Sequence, residues 1–300
     1  MAKDVPEEVI NNILFNYKGT YFASWVTSLQ VVKDLEHMEI RESDVFLVTY
    51  PKSGTVWTQQ ILSLIFNEGQ RNGTEQTENI NRMPWIEYNV NNIDFNIRPS
   101  PRLFTTHLPY YLMPRDLRSK MPKIIYVCRN PKDVLVSFYH FYKMIPHLKE
   151  PFDWETFFNL YISGRVMGGS WFDHVSGWYT HKDDFNILFM TYEEMKKDLK
   201  PAVKKICKFV DINLDEEAID LVVEKATFKK MKQDPFANYV FLPDEFADKQ
   251  RGVFLRKGTV GDWKNIMTVA QNEMFDKVYK EKMGDLPIKF LWDLNEENAS

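Results

Sequence analysis

Residues 49–57, Thr-Tyr-Pro-Lys-Ser-Gly-Thr-Val-Trp, put a cation, a glycine and several hydroxyls into one short run. They follow the apolar stretch Val45-Phe46-Leu47-Val48 and precede Ile61-Leu62 and Leu64-Ile65, which are apolar at helical spacing. That order predicts a buried strand, a short loop and a helix. Pro51 ends the strand, and Gly54 lets the backbone turn tightly and come close to a ligand. The amides of Ser53, Gly54, Thr55 and Val56 would then sit at a helix N-terminus, where an anion is favoured. Lys52 adds a full positive charge. Trp57 offers a flat face on which a base can stack, a contact worth roughly 1–3 kcal/mol. The segment reads as a phosphate or sulfate cradle for a nucleotide. It is not the usual triphosphate loop, because the string glycine, four residues, Gly-Lys-Ser/Thr does not occur in the chain.

A second candidate is Arg129-Asn130-Pro131-Lys132-Asp133 with Ser137 further on. Arg129 leaves the end of the apolar run 124–127, Asn130 suits an N-cap, and Pro131 suits the first helical position. Ser137 lies about 9 Å along that helix from Pro131, so an arginine fork and a hydroxyl could grip one phosphate. A third candidate is Arg256-Lys257-Gly258, two adjacent cations beside a glycine, followed by Gly261-Asp262-Trp263-Lys264. His107 ends the strand-like run 103–107, and its imidazole could accept a proton from an attacking hydroxyl or amine. Taken singly, these segments read equally well as capped turns and a structural histidine. The remaining histidines show no metal spacing, and neither Cys-x-x-Cys nor His-Glu-x-x-His occurs, so no metal is expected.

The elements that must position these groups alternate along the chain. Strand-like runs at 45–50, 103–107, 123–128 and 185–190 are separated by helical patterns near 55–67, 131–145, 193–210, 215–226 and 268–283. Alternation of this kind predicts a parallel sheet flanked by helices, with ligands at the carboxyl ends of the strands. The 51–55 loop, His107 and Arg129 all fall at those ends. Residues 68–100 and 233–262 are long and irregular, as lids and binding loops are, and are expected to fold over the same edge. No linker or repeat divides residues 1–300, so one domain is expected. With 44% hydrophobic and 27% charged residues the composition is that of a globular protein, and a net charge of −4 gives no case for nucleic-acid binding. Aromatics at 15% fit an aromatic-lined pocket or a rich core. Cys128 and Cys207 are too few for a disulfide framework, residues 1–20 lack a long apolar stretch, and no run is long enough to span a membrane. A cytoplasmic protein is expected.

Tyr50-Pro-Lys-Ser-Gly-Thr-Val-Trp57, Arg129 through Ser137, and Arg256-Lys-Gly-Thr-Val-Gly-Asp-Trp-Lys-Asn265 together resemble the signatures of cytosolic sulfotransferases, in the family's order and across about residues 20–290. The resemblance implies a P-loop-like α/β fold and 3′-phosphoadenosine 5′-phosphosulfate as co-substrate. It implies that the phosphosulfate lies over Lys52, Ser53, Gly54, Thr55, Val56 and Trp57, and the 3′-phosphate on Arg129, Ser137, Arg256, Lys257 and Gly258. Adenine contacts are implied for Trp57, Tyr192, Thr227 and Phe228, with His107 as general base and Lys52 as the cation on the bridging oxygen. The acceptor pocket is expected to be apolar, formed by Phe22, Trp85, Tyr88 and Phe141, with Gly168 leaving room beside them. Lys264, Thr268, Val269 and Glu273 are similar to the family's short dimer motif, which implies a homodimer.

Phenol-type members carry a lysine where this chain has Thr105, and relatives often carry a tyrosine where Gly168 stands. Both differences point away from phenols, and Thr-His-Leu-Pro-Tyr-Tyr is similar to the amine-sulfating branch. A small apolar hydroxyl or amine acceptor is therefore expected. The alternatives are a nucleotide kinase of P-loop type and a catalytically impaired nucleotide-binding relative.

Overall fold

The computed structural model describes residues 7–69, 73–74, 76–147 and 152–293. Strands β1 (Leu14–Tyr17) and β2 (Thr20–Ala23) form an antiparallel hairpin. Strands β3 (Val45–Thr49), β4 (Leu103–Thr106), β5 (Lys123–Cys128) and β6 (Ile187–Thr191) form a parallel sheet in the order β4-β3-β5-β6. All of β3 is buried, as an apolar run covered on both faces requires. Its side chains alternate between the two faces. Phe46 and Val48 join Phe104, Ile124 and Tyr126 in one core, whereas Val45 and Leu47 join Leu103, Ile125 and Val127 in the other.

The longer helices are α1 (Thr55–Ile65), α2 (Pro131–Tyr142), α3 (Trp154–Ile162), α4 (Trp171–Thr180), α5 (Leu199–Phe209), α6 (Glu216–Lys225) and α7 (Val269–Met283). The first core is completed by α2, α3, α4 and α7, and the second by α1, α5 and α6. Trp171, Trp178 and Phe138 are fully buried in the first core, where truncation of such a ring to alanine costs about 3–5 kcal/mol. Cys128 and Cys207 are buried free thiols.

The parallel register leaves Thr49, Thr106, Cys128 and Thr191 at one edge, so the segments that follow them leave the sheet together. The helix expected over 193–210 is instead two, Tyr192–Lys197 and α5. Asp198, at φ −150°, ends the first and caps the second by accepting the Lys200 N–H at 3.2 Å. Pro201 explains the break, since it has no N–H to donate back to the Lys197 carbonyl and its ring would crowd that group. The hairpin, α3 and α4 are additions to the elements the periodicity indicates.

Candidate active site

The segment 50–54 carries the chain from β3 into α1. Gly54 adopts φ +99°, and a Cβ there would lie 2.7 Å from Tyr192 Cδ2, so both conformation and space demand glycine. No side chain caps α1, which leaves its first amides open to an anion. The Ser53 amide departs from the expected cradle, because it is bonded to the Tyr50 carbonyl at 3.2 Å. The Ser53 hydroxyl is fully buried and has no hydrogen-bond partner among the described residues.

Lys52 sits at φ +69°, a left-handed conformation uncommon for a side-chain-bearing residue and typical of strained sites. Its ammonium lies 4.6 Å from the ring centre of Phe141 and 5.1 Å from that of Phe254. Burial, with added repulsion from Arg129 and Arg256, lowers its pKa to about 7. Arg129 leaves the end of β5, stacks over the Tyr192 ring at 4.3 Å, and donates to the carbonyls of Lys52 at 3.2 Å and Thr259 at 2.9 Å. Its Nε is buried without a partner among the described residues. The cavity lining brings together the uncapped start of α1, the Lys52 ammonium and the Arg129 guanidinium, whose Nε has no partner among the described residues, and that donor set fits a phosphate or sulfate.

α2 begins as its sequence indicates, with Asn130 accepting the Asp133 N–H at 2.8 Å. Asp133 does more than start the helix. Its carboxylate accepts the backbone N–H groups of Gly261 at 2.8 Å and Trp263 at 3.1 Å, fastening the basic loop to α2. Within that loop Arg256 and Lys257 both reach Asp262, which their charges hold below the usual carboxylate range. Gly258 adopts φ +64°, and a Cβ there would lie 2.5 Å from the Phe228 ring.

At the neighbouring end of β4 lies His107, only 9% exposed. Its Nδ1 lies 2.6 Å from the Thr49 carbonyl and 3.1 Å from the Thr49 hydroxyl. A carbonyl can only accept, so Nδ1 carries the proton and Nε2 keeps the lone pair. Burial pushes the imidazole pKa down to about 3, opposed by the Thr49 bond and reinforced by Lys52. The ring packs on Trp85 at 4.5 Å.

These groups line one cavity of about 260 Å³ at the carboxyl edge of the sheet. Lys52, Gly54, Thr55, Val56, Trp57, Arg129, Ser137, Tyr192, Phe228, Arg256, Lys257 and Gly258 line its polar end, and His107, Trp85, Tyr88 and Phe141 its apolar part. The two irregular segments supply walls through Ile80, Trp85 and Val90 and through Tyr239, Leu242 and Phe254.

Three expected residues lie outside the lining. Ser53 is fully buried within the 50–54 segment. Phe22 turns away and stacks on Phe15 at 5.5 Å, leaving its neighbour Ala23 on the cavity wall. Thr227 is an exposed N-cap that accepts the Lys230 N–H and donates to the Glu224 carbonyl. Gly168 gives no open space either. It adopts φ +86°, and a Cβ would lie 2.9 Å from Pro51, while the adjacent Met167 lines the cavity.

Thr105 is fully buried and works as scaffold. It accepts from Gln59 Nε2 at 2.9 Å and donates to the Met83 carbonyl at 3.2 Å, while Gln59 also accepts from Tyr239, which accepts from Trp85. Lining residues that lack any motif signal include Trp25, Val26, Met167, Met231 and Lys196. Lys196 stands one helical turn after Tyr192, so the i,i+4 spacing alone places it on the same helix face. Among the described residues no arrangement of histidine, cysteine and acidic side chains forms a metal cluster.

The sulfotransferase domain family model matches residues 42–287. The chain is 52% identical to an amine sulfotransferase of Oryctolagus cuniculus, covering 96% of each chain. It is 42% identical to sulfotransferase 1C2 of Rattus norvegicus, covering 87% of this chain and 90% of that protein. Among solved structures it resembles mouse sulfotransferase SULT7A1 complexed with PAP, with a TM-score of 0.76, 35% identity, and coverage of 91% of this chain and 95% of that one. With the domain match over residues 42–287 and 52% identity across 96% of both chains, the chain belongs to the sulfotransferase family.

Proposed function

We propose that this chain transfers a sulfuryl group from 3′-phosphoadenosine 5′-phosphosulfate to the nitrogen or oxygen of a small apolar acceptor, with His107 as general base. Sulfuryl transfer is the family's reaction, and the donor is 3′-phosphoadenosine 5′-phosphosulfate. The single observation that carries the residue assignment is the pairing of His107 and Lys52 in one cavity, the first neutral with its lone pair on Nε2, the second an amine beside open helix amides whose charged form a bound phosphate favours. His107 takes the acceptor's proton as the new bond to sulfur forms. Lys52 and the α1 amides stabilise the charge that collects on the departing phosphate as the old S–O bond breaks. Interactions that strengthen as charge develops lower the barrier rather than merely tightening binding.

Arg129, Ser137, Arg256, Lys257 and Gly258 hold the 3′-phosphate in this reading, and Trp57, Tyr192 and Phe228 hold the adenine. The acceptor sits against Trp85, Tyr88 and Phe141, whose rings give large contact area at low entropic cost. An amine is favoured by the 52% identity to the rabbit amine sulfotransferase. The comparisons favour a sulfotransferase over a nucleotide kinase, and the presence of His107 and Lys52 in the cavity argues against an impaired relative.

We further propose one domain over residues 1–300, a cytoplasmic location, and a homodimer through Lys264, Thr268, Val269 and Glu273. Among the described residues no helix is long and apolar enough to cross a membrane. The dimer reading is supported by Val269, which is 75% exposed. A transfer assay with labelled donor against arylamines, alcohols, steroids and phenols tests the function. Transfer to an amine or alcohol is expected, and label that reaches no acceptor refutes the reading. His107→Ala in the same assay should lower turnover by at least about a hundredfold.

A further inference from the structure

His107 is gripped through its backbone as well as its ring. Its N–H donates to Glu87 Oε1 at 2.6 Å, and its carbonyl accepts from His174 Nε2 at 3.1 Å. These two bonds fix the peptide groups on either side of the His107 α-carbon. With φ and ψ held, the direction of the Cα–Cβ bond is set, and the ring bond to Thr49 then sets its rotation. Both supporting side chains come from elsewhere in the chain, Glu87 from the irregular segment before β4 and His174 from α4.

We propose that Glu87 and His174 are positioning residues for His107, clamping its backbone from both sides so that Nε2 is aimed into the cavity. The proposal rests on the reading of His107 as the base. Glu87 is 1% exposed, and burial lifts its carboxyl pKa to about 7 against the opposing hydrogen bonds of the His107 amide and the Thr106 side chain. A buried acid of this kind is a poor device for stability, which an apolar side chain of similar size serves better. What Glu87 supplies, and an apolar side chain cannot, is an acceptor for the His107 amide.

His174 is equally specific. Tyr126 lies 2.9 Å from its Nδ1, and burial lowers the imidazole pKa to about 4, so the ring is neutral. The Tyr126 hydroxyl donates to Nδ1, which leaves the one ring proton on Nε2 and directs it at the His107 carbonyl. A relay of contacts thus runs from β5 through α4 to the end of β4.

The test compares Glu87→Leu with Glu87→Gln, and His174→Phe with His174→Gln, in the full-length protein. Leucine and phenylalanine fill the space without the polar atom, whereas glutamine restores an acceptor at 87 and a donor at 174. Turnover should fall at least about tenfold in the apolar variants, with affinity for adenosine 3′,5′-bisphosphate unchanged, and should recover in the glutamine variants. If an apolar variant does not fold, Glu87→Asn and His174→Ser, too short to reach, take its place. Turnover within twofold of wild type, or glutamine variants no better than apolar ones, overturns the clamp. His107→Ala separates the two readings: near-normal turnover in that variant removes the base assignment itself, whereas its loss alongside active Glu87→Leu and His174→Phe removes only the clamp.

Discussion

The Thr49 carbonyl accepts the His107 Nδ1 proton at 2.6 Å, joining the last residue of β3 to the residue that follows β4. The bond selects the tautomer, and burial keeps the ring neutral down to about pH 3. Because this pKa lies far below the ordinary histidine value, the base form persists as pH falls through the range where a free imidazole would gain its proton. With an alcohol acceptor and saturating donor, the rate should therefore show no acid limb centred near 6.5. An amine acceptor must first lose its own proton, so its rate should climb with pH more steeply than that of the alcohol. A limb near 6.5 with the alcohol would mean that the histidine is solvated during turnover.

Arg129 braces the loop, lines the polar end of the cavity and keeps a buried Nε with no hydrogen-bond partner among the described residues. Charge-assisted hydrogen bonds contribute about 1.5–3 kcal/mol, so losing those to a 3′-phosphate should cost roughly ten- to a hundredfold in affinity. Calorimetry should show Arg129→Ala weakening adenosine 3′,5′-bisphosphate by that factor and adenosine 5′-phosphate much less. Arg129→Lys should fall between them, since lysine keeps the charge but not the fork. Equal losses for both nucleotides would make Arg129 a brace alone.

Lys196 provides a less obvious check on the same end of the cavity. Burial and the nearby Arg129 lower its pKa, so its cation is uncomfortable until an anion arrives. Lys196→Gln should weaken adenosine 3′,5′-bisphosphate by about fivefold, the scale of a partly exposed ion pair. The difference from wild type should shrink as salt is raised. An effect that is independent of salt would point to packing instead.

What the sequence discloses about this site follows from how local each feature is. The segments around Lys52, Arg129 and Arg256 carry their own turn chemistry, so their residue types announce them. Thr49, Tyr239 and Glu87 act through partners far along the chain, and Tyr239 meets Gln59 across 180 positions, which no local pattern contains. Phe22 and Ala23 differ by one step of a strand, and the alternation that sends one to the core and the other to the cavity depends on how the hairpin docks. Thr227 carries a hydroxyl suited to a ligand, yet the helix Phe228–Gln233 claims it as a cap. In the sheet, by contrast, continuous apolar runs separated by helical periodicity leave little choice of architecture.

Val269 is exposed on the first turn of α7, which Thr268 and Gln271 fix with reciprocal capping bonds. Because a negative charge is welcome at a helix N-terminus, Val269→Glu should leave the fold intact. If the chain pairs through this patch, two such charges would face each other across the two-fold axis. Light scattering should then report a monomer for the variant and a dimer for wild type. A dimer that survives the substitution would place the interface elsewhere.

Lys52 couples donor binding to protons. Its folded pKa is lowered to about 7 by burial and by its cationic neighbours Arg129 and Arg256, so at pH 8 roughly nine side chains in ten are neutral in the free protein. A bound phosphate within reach favours the charged form and raises that pKa. Binding at pH 8 must therefore take up close to one proton, and binding at pH 6, where Lys52 is already charged, must take up few. Affinity for adenosine 3′,5′-bisphosphate should accordingly weaken as pH rises above 7. Calorimetry at pH 8 in two buffers of different ionisation enthalpy measures the uptake directly. Lys52→Met should abolish it without changing the fold, because methionine fills the same apolar slot between Phe141 and Phe254. Binding heats that are independent of buffer at pH 8 in the wild type, or an undiminished uptake in Lys52→Met, would show that Lys52 does not meet the nucleotide as a cation.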